Sequence, residues 1–335
     1  MNDKRSSLDE FALIKRYFDR SRAGVETAHD KSGVRLGIGD DCAIVQLSST
    51  EELVISTDTL VGGVHFPEHS DPALIAQRAL RVNLSDLAAM GGQARWLLLA
   101  LTLPEADEPW LASFSEGLHE VAALYNCALI GGDTTRGPLS ITITVGGSVP
   151  SGKALVRHDA RIGDSVYVTG SLGDAAAGLA LIQGRIERGR VSTEHQKYLL
   201  ERFWRPTPRL AEGLLLRNYA SAAIDISDGL VADLGRIVER SGVGGELQLT
   251  TLPLSPALVE AASEGEASVW AASAGDDYEL CFTVPAQNIA ALEADIAAGL
   301  LQAQAIGRIV PGSGVLCRDA HGQSKDFSDQ GYSHF

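Results

Sequence analysis

The sequence predicts a two-domain protein in which helices and strands alternate, an α/β or α+β fold. Its 335 residues make two domains the expected number, at about 100–200 residues each. Hydrophobic residues make up 45% of the chain and charged residues 21%, ordinary proportions for a globular protein with a large core. Strand-like apolar runs alternate with helix-like patterns in both halves, which indicates sheets covered by helices.

Residues 1–150 form the first predicted domain. An amphipathic helix is expected over residues 8–18, where apolar positions are separated by charged ones. Asp71-Pro72 is a typical helix start and Gly91-Gly92 a typical end, so the helix between them places Asn83 and Asp86 three apart on one face. A further helix over residues 109–125 has an apolar stripe at 3.6-residue spacing. Short apolar runs predict strands over residues 52–57, 96–103, 128–130 and 140–149.

Residues 151–335 form the second predicted domain, which begins with a polar seam over residues 152–163. Gly170 to Asp174 is expected to open a helix, and the prolines of residues 205–208 to interrupt the chain. Asp228 is expected to cap a helix over residues 229–240, which Gly242 ends. The other predicted elements are strands over residues 165–169, 222–226 and 305–310 and a helix over residues 287–300.

Composition excludes several classes of protein. The formal net charge of −15 argues against non-specific binding to nucleic acid or to an anionic membrane. The four cysteines are far apart and form no Cys-x-x-Cys pair, so neither a zinc site nor a disulfide framework is indicated. Reduced thiols, a polar N-terminus without a signal-peptide pattern and the lack of an apolar run near 20 residues predict a cytoplasmic protein.

Six short motifs place carboxylates beside glycine, serine or threonine. Carboxylates, hydroxyls and exposed backbone can together hold Mg²⁺ against phosphate, because this hard cation selects oxygen ligands. Six such motifs predict a metal–nucleotide site assembled from distant parts of the chain. They are Gly37-Ile38-Gly39-Asp40-Asp41-Cys42-Ala43, Ile55-Ser56-Thr57-Asp58-Thr59, Asn83-Leu84-Ser85-Asp86-Leu87, Ile130-Gly131-Gly132-Asp133-Thr134-Thr135, Ile224-Asp225-Ile226-Ser227-Asp228-Gly229 and Gly275-Asp276-Asp277-Tyr278-Glu279.

The first three motifs also have simpler interpretations. Asp40 and Asp41 repel each other unless a cation lies nearby, yet a solvated turn accommodates them as well. Asp58 is expected at the end of the strand 52–57, where it either joins a metal site or caps a turn. Asp86 lies in an amphipathic helix, where an aspartate usually faces solvent.

The glycines before Asp133 are equally consistent with a phosphate-binding nest and with a tight turn after a strand. The P-loop pattern and the protein-kinase signatures are absent from the sequence, so a nucleotide site must be of another type.

The remaining candidates lie near strand ends or in loops. Asp225 and Ser227 are expected on one side of a strand, while Asp276 follows a glycine and could face a cationic group. Two basic residues could offset this acidity: Arg157, in the seam, can bind a phosphate bidentately, and His65 follows the Asp58 motif.

In this order the motifs resemble those of the bacterial thiamine-monophosphate kinases, over nearly the whole chain, from about Glu10 to Phe335. The wider superfamily contains aminoimidazole ribonucleotide synthetase, selenophosphate synthetase and a hydrogenase-maturation dehydratase. The resemblance implies a two-domain fold of the aminoimidazole ribonucleotide synthetase type. Its N-terminal sheets pair across a homodimer, and ATP lies near the interface.

The implied reaction is the Mg²⁺-dependent transfer of the ATP γ-phosphate to thiamine monophosphate, giving ADP and thiamine diphosphate. The resemblance also implies the roles of individual residues, with no covalent nucleophile among them. Several Mg²⁺ ions would be held by Asp41, Ser56, Thr57, Asp58, Asp86, Asp133, Asp225 and Asp228. ATP would contact Gly132, Asp133, Arg157 and Ser227, and the substrate would contact His65, Asp276 and Tyr332.

The sequence departs from the family pattern at Asp276, where the family often has glutamate, so this shorter side chain is the least secure substrate contact. Selenophosphate synthetase usually needs a reactive cysteine before the first acidic motif, and the dehydratase a C-terminal cysteine; this chain has neither. Another enzyme of the superfamily and a non-catalytic Mg-nucleotide-binding regulator remain as alternatives.

Overall fold

The computed structural model describes residues 13–19, 33–36, 38, 42–262 and 264–327. The chain divides into two compact units. The first comprises the described residues of Met1–Leu87 with Gln93–Gly152, and the second those of Ala88–Gly92 with Lys153–Phe335. No described helix combines the length and the apolar composition that crossing a membrane requires.

A four-stranded sheet is the centre of the first unit. Its strands are β3 (Glu51–Val61), β4 (Gln93–Leu103), β5 (Ala128–Arg136) and β6 (Ser140–Pro150), in the order β3-β6-β4-β5. The pairs β3–β6 and β6–β4 are antiparallel and β4–β5 is parallel. β1 (Val34–Leu36) and β2 (Ile44–Val45) form a separate antiparallel pair, and Ile14–Phe18 form one π-helical turn. Part of the helix predicted over residues 8–18 therefore lies outside the described residues.

Two helices accompany this sheet, α1 (Pro72–Ala89) and α2 (Glu108–Leu124). The predicted start of α1 is confirmed, because Asp71 Oδ1 accepts the N–H of Ala73 at 2.8 Å. The apolar stripe of α2 is confirmed at Leu111, Phe114, Leu118 and Val121, which are all fully buried. Leu124 ends the stripe and is exposed.

Two strands are longer than the sequence predicted, and each contains an acidic motif. β3 continues past residue 57 to Val61, because its backbone pairs with β6 along its whole length. Asp58 therefore lies inside the strand and not at its end. β5 likewise continues through Gly132 and Asp133, which pair with Leu99 and Ala100 of β4, so this motif is a strand and not a loop.

The second unit contains a seven-stranded sheet in the order β13-β12-β9-β11-β7-β10-β8. Only the β9–β12 pair is parallel, so the unit is α+β. The strands are β7 (Ser165–Thr169), β8 (Ala222–Asp225), β9 (Gly244–Gln248), β10 (Leu280–Val284), β11 (Ala303–Val310), β12 (Val315–Arg318) and β13 (Ser324–Lys325). The helices are α3 (Asp174–Ile182), α4 (Thr193–Trp204), α5 (Leu210–Leu216), α6 (Leu230–Ser241), α7 (Pro256–Ala261), α8 (Glu264–Ser273) and α9 (Ala286–Ala297).

The largest core cluster of this unit includes the apolar face of α6. Leu230, Leu234 and Ile237 are fully buried there, at the i, i+4, i+7 spacing of an amphipathic helix. The predicted end of α6 is confirmed at Gly242, whose φ of 67° is left-handed. Burial of this helix supports the end of β8, where Asp225 stands.

Candidate functional site

Ser56 and Asp58 are joined to helix α1 by hydrogen bonds in the first unit. The Ser56 hydroxyl donates a short hydrogen bond to Asp86 Oδ2. The N–H of Asp58 donates to Asn83 Oδ1 at 3.1 Å, and the Asn83 amide in turn donates to the carbonyl of Ala79 at 2.8 Å. Asn83 and Asp86 thus share a helix face, as predicted, and that face brings two acidic motifs together.

Thr57 does not lie with this group. Side chains alternate across a strand, so Thr57 points to the face opposite Ser56 and Asp58. Its hydroxyl forms a hydrogen bond of 2.8 Å with the hydroxyl of Thr144 on β6. The Thr57 side chain is therefore engaged within the sheet.

His65 lies in the turn that follows β3. Its Nδ1 accepts the N–H of Val61 at 3.0 Å, and its own N–H donates to the Val61 carbonyl at 3.0 Å. Because Nδ1 is an acceptor here, the ring is in the tautomer that carries its proton on Nε2. The turn thus fixes the imidazole beside the strand that carries Asp58.

Gly132 and Asp133 lie on β5, at the other edge of the sheet from Ser56 and Asp58. Two strands separate β3 from β5, which corresponds to about 14 Å at ~4.8 Å per strand. The register shifts between Leu97 and Leu98, and this bulge precedes the two residues. Asp133 is exposed, so its carboxylate is open to a ligand.

Gly132→Ala is expected to destabilise the first unit by about 1–3 kcal/mol through overpacking. A Cβ at this position, where φ is +151°, would overlap the carbonyl oxygen of Leu99, whereas a Cβ at Gly131 would lie 3.1 Å from the movable Cδ2 of Leu98. Gly131→Ala is therefore the matched control. Thermal unfolding of both variants checks the prediction, and equal melting temperatures would contradict it.

The motif around Asp225 is arranged differently from its prediction. β8 ends at Asp225, so Ser227 lies beyond the strand. Asp228 does not cap α6, whose N-cap is Gly229 without a side-chain hydrogen bond. Instead, Asp233 Oδ2 accepts the N–H groups of both Ser227 and Asp228 at 3.0 Å. A buried carboxylate one turn into the helix thus fixes the loop.

Arg236 completes this arrangement by forming short ion pairs with both Asp228 and Asp233. Burial raises the pKa of Asp233 to about 6, and the charge of Asp228 adds to that effect while Arg236 opposes it. The sequence analysis missed Asp233 and Arg236. Their i, i+3 spacing on a helix was the available signal.

The two acidic motifs of the second unit are joined through their backbones. The N–H of Asp276 donates to the Ser227 carbonyl at 2.9 Å, and that of Tyr278 donates to the Ile226 carbonyl at 2.8 Å. A Cβ at Gly275 would overlap the carbonyl oxygen of Ser227. Glycine therefore permits this close approach, which places Asp276 next to Ser227.

Arg157 is exposed in the seam, where its carbonyl accepts the Ser241 hydroxyl at 3.1 Å. Asp41 and Tyr332 lie outside the described residues. Within the described ranges, no three His, Cys, Asp or Glu side chains come together as they would around a metal ion. The oxygen donors of Ser56, Asp58 and Asp86 are nevertheless of the type that Mg²⁺ selects, so the magnesium assignment stays a prediction.

Comparison with known proteins defines the class. Residues 39–149 match the AIR synthase related protein N-terminal domain, and residues 161–318 match the corresponding C-terminal domain. The thiamine-monophosphate kinase of Salmonella typhimurium is 50% identical over 328 residues, covering 97% of this chain and 98% of that protein. The chain belongs to the thiamine-monophosphate kinase family, as its motifs predicted.

Solved structures agree with this placement. The thiamine-monophosphate kinase of Stenotrophomonas maltophilia K279a is 44% identical, with a TM-score of 0.83 over 95% of this chain and 98% of that one. AaThiL, complexed with AMPPCP and TMP, is 32% identical, with a TM-score of 0.76 over 97% of each chain. The predicted two-domain fold of mixed helices and sheets is therefore confirmed.

Proposed function

We propose that this protein transfers the γ-phosphate of ATP to thiamine monophosphate, producing ADP and thiamine diphosphate. The observation that carries this proposal is the 50% identity to a thiamine-monophosphate kinase along almost the entire length of both chains. A relative of the same fold complexed with AMPPCP, an ATP analogue, and TMP supports the choice of both substrates.

The chemistry needs neither a covalent nucleophile nor a strong general base. A phosphate monoester loses its second proton near pH ~6, so the acceptor is already an anionic nucleophile at neutral pH. One of its oxygens attacks the γ-phosphorus of ATP in line, and the bond from that phosphorus to the β–γ bridging oxygen breaks to release ADP. The principal barrier is repulsion between the two polyanions.

Several magnesium ions would neutralise and align the phosphates when bound. In the first unit, the hydrogen bonds of Ser56 and of the Asp58 backbone already orient two motifs toward this role. In the second unit, Asp225 ends a strand beside the loop that Asp233 fixes. The proposed magnesium ligands are Asp41, Ser56, Thr57, Asp58, Asp86, Asp133, Asp225 and Asp228.

The remaining roles concern the two substrates. Arg157, with its planar guanidinium, suits a phosphate of ATP, and the backbone at Gly132 permits close approach because it has no side chain. The proposed ATP contacts are Gly132, Asp133, Arg157 and Ser227. The proposed contacts of thiamine monophosphate are His65, Asp276 and Tyr332.

A cytoplasmic homodimer is proposed in which the sheets of the first units pair. Leu53, Ile55 and Leu98 share one face of the sheet by strand register, and all three are exposed, Ile55 by 59%. Apolar side chains grouped on one face are typical of an interaction surface. The proposed domains are residues 1–150, which bind ATP and dimerise, and residues 151–335, which complete the active site.

A turnover assay tests the proposal. Purified protein with Mg²⁺ and γ-labelled ATP is offered thiamine monophosphate, thiamine and aminoimidazole precursors in parallel. We expect label in thiamine diphosphate and ADP release that depends on thiamine monophosphate. Label on thiamine alone, or turnover only with an aminoimidazole precursor, would assign another superfamily reaction. Nucleotide binding without any turnover would indicate a regulator.

A further inference from the structure

The turn that carries Asp276 has an unusual backbone. Asp276 and Tyr278 both have positive φ, at 74° and 51°, in the left-handed region that residues other than glycine rarely occupy. Such conformations persist only where the surrounding structure over-determines them. Asp277 and Glu279 alternate with these two residues and are almost completely buried.

The buried pair anchors the turn to neighbouring elements of the second unit. Asp277 Oδ2 accepts the N–H of Gly173, before α3, at 2.7 Å. Glu279 accepts the Thr169 hydroxyl at 2.6 Å and two parallel hydrogen bonds of 2.6 Å from Arg209. This bidentate geometry is the strongest form of the arginine–carboxylate interaction.

Arg202 on α4 connects the two anchors. Its Nη2 donates to Glu279 Oε1 at 2.8 Å and to the Asp277 carbonyl at 3.3 Å. The Asp277 carbonyl is part of the peptide between the two left-handed residues, so this bond holds the turn itself. Arg209 makes no such bond to the turn backbone among the contacts described.

We propose that Arg202 is a positioning residue that holds the Asp276 carboxylate toward thiamine monophosphate. Arg202 fixes the peptide after Asp277 and the carboxylate of Glu279 together, and Asp276 is thereby presented on the outer side of the turn. Burial raises the pKa of Asp277 well above its usual range, with attraction to Arg202 opposing the effect. Asp277 thus acts through shape and hydrogen bonding more than through charge.

This inference rests on the proposed function and adds to it. The short aspartate at position 276, in place of the family's usual glutamate, reaches the substrate because the turn is held rigidly by a residue that does not touch the substrate. Arg202→Lys keeps a cation beside Glu279 but has one point of donation in place of a fork. It therefore loosens the turn without removing a buried charge.

The experiment is a double-mutant cycle of Asp276→Ala, Arg202→Lys and the combined variant, with steady-state kinetics for both substrates and thermal unfolding of each protein. We expect each single variant to raise KM for thiamine monophosphate about tenfold, the size of one lost charge-assisted hydrogen bond. The combined variant should be no worse than Asp276→Ala alone. KM for ATP should stay within about twofold. Arg308→Lys, which alters an exposed pair with Glu246, is the matched control.

Additive effects in the combined variant, or an equal rise in KM for ATP, would overturn the positioning role while leaving the proposed function intact. Wild-type protein without thiamine diphosphate formation would instead overturn the proposed function, and the positioning role with it. A second pair of variants keeps the test decisive if Arg202→Lys does not fold. Asp277→Ala should raise KM for thiamine monophosphate, and Asp277→Asn, which still accepts the Gly173 N–H, should restore it; equal KM values for the two would contradict the inference.

Discussion

Asp58→Asn is expected to lower kcat on the order of 10³-fold while leaving the melting temperature unchanged. A magnesium ligand contributes several kcal/mol to stabilising charge in the transition state, and each 1.36 kcal/mol is a factor of ten in rate. The fold should not respond, because Asp58 is exposed and its backbone, which asparagine retains, makes the contacts with Ile143 and Asn83. Steady-state kinetics at saturating ATP and thiamine monophosphate measure the effect.

Asp107→Asn is the matched control for this variant. Asp107 is an exposed aspartate of the same unit, and its side chain makes no capping hydrogen bond to α2. We expect wild-type kcat for the control. A wild-type kcat for Asp58→Asn would show that the magnesium assignment on β3 is wrong, whereas loss of kcat with a lower melting temperature would indicate a structural role.

Glu279→Gln is expected to lower the stability of the second unit by about 3–5 kcal/mol, the usual cost of removing one partner from a buried ion pair. The Glu279 carboxylate is fully buried between the guanidinium groups of Arg202 and Arg209. Glutamine would leave these two cations poorly compensated. For a unit of this size, the melting temperature should fall by about 10 °C. Glu239→Gln, an exposed change on α6, should leave it unaltered.

The effect of Glu279→Gln should also depend on pH. Burial opposes ionisation of Glu279, but Arg202 and Arg209 outweigh it, so its pKa lies below the ordinary 4.5. A carboxyl with a lowered pKa stabilises the fold fully above its unfolded pKa, and this contribution is lost as the pH falls through the folded one. The difference in melting temperature between wild type and variant should therefore narrow below about pH 4.5. A constant difference down to pH 3 would contradict this interpretation.

Local periodicity predicted much of the fold. The strand Ser165–Thr169 has the bounds that its apolar run indicated, and the stripe on α2 identified its buried residues. The spacing of Asn83 and Asp86 also predicted a shared helix face correctly. These features depend on neighbours within about one helical turn or on alternation along one strand, which a sequence displays directly.

Strand ends were predicted less well. β3 and β5 both continue through polar, glycine-containing motifs that resemble turns. Their backbones are held by hydrogen bonds to β6 and β4, segments whose pairing depends on the arrangement of the sheet. Thr57 is an instance of the consequence, because a strand that continues sends its side chain to the face opposite Ser56 and Asp58.

By itself the sequence determined the family, the two-domain mixed fold and the acidic motifs, because each is a matter of residue types at fixed local spacing. Only the tertiary structure decided which carboxylates are used inside the protein. Asp233 holds the loop that Asp228 was expected to cap, and Glu279 is buried against arginines 77 and 70 residues away in sequence. A carboxylate becomes an exposed ligand or a buried anchor according to the cations and N–H groups that folding brings beside it, and those partners are distant in the chain.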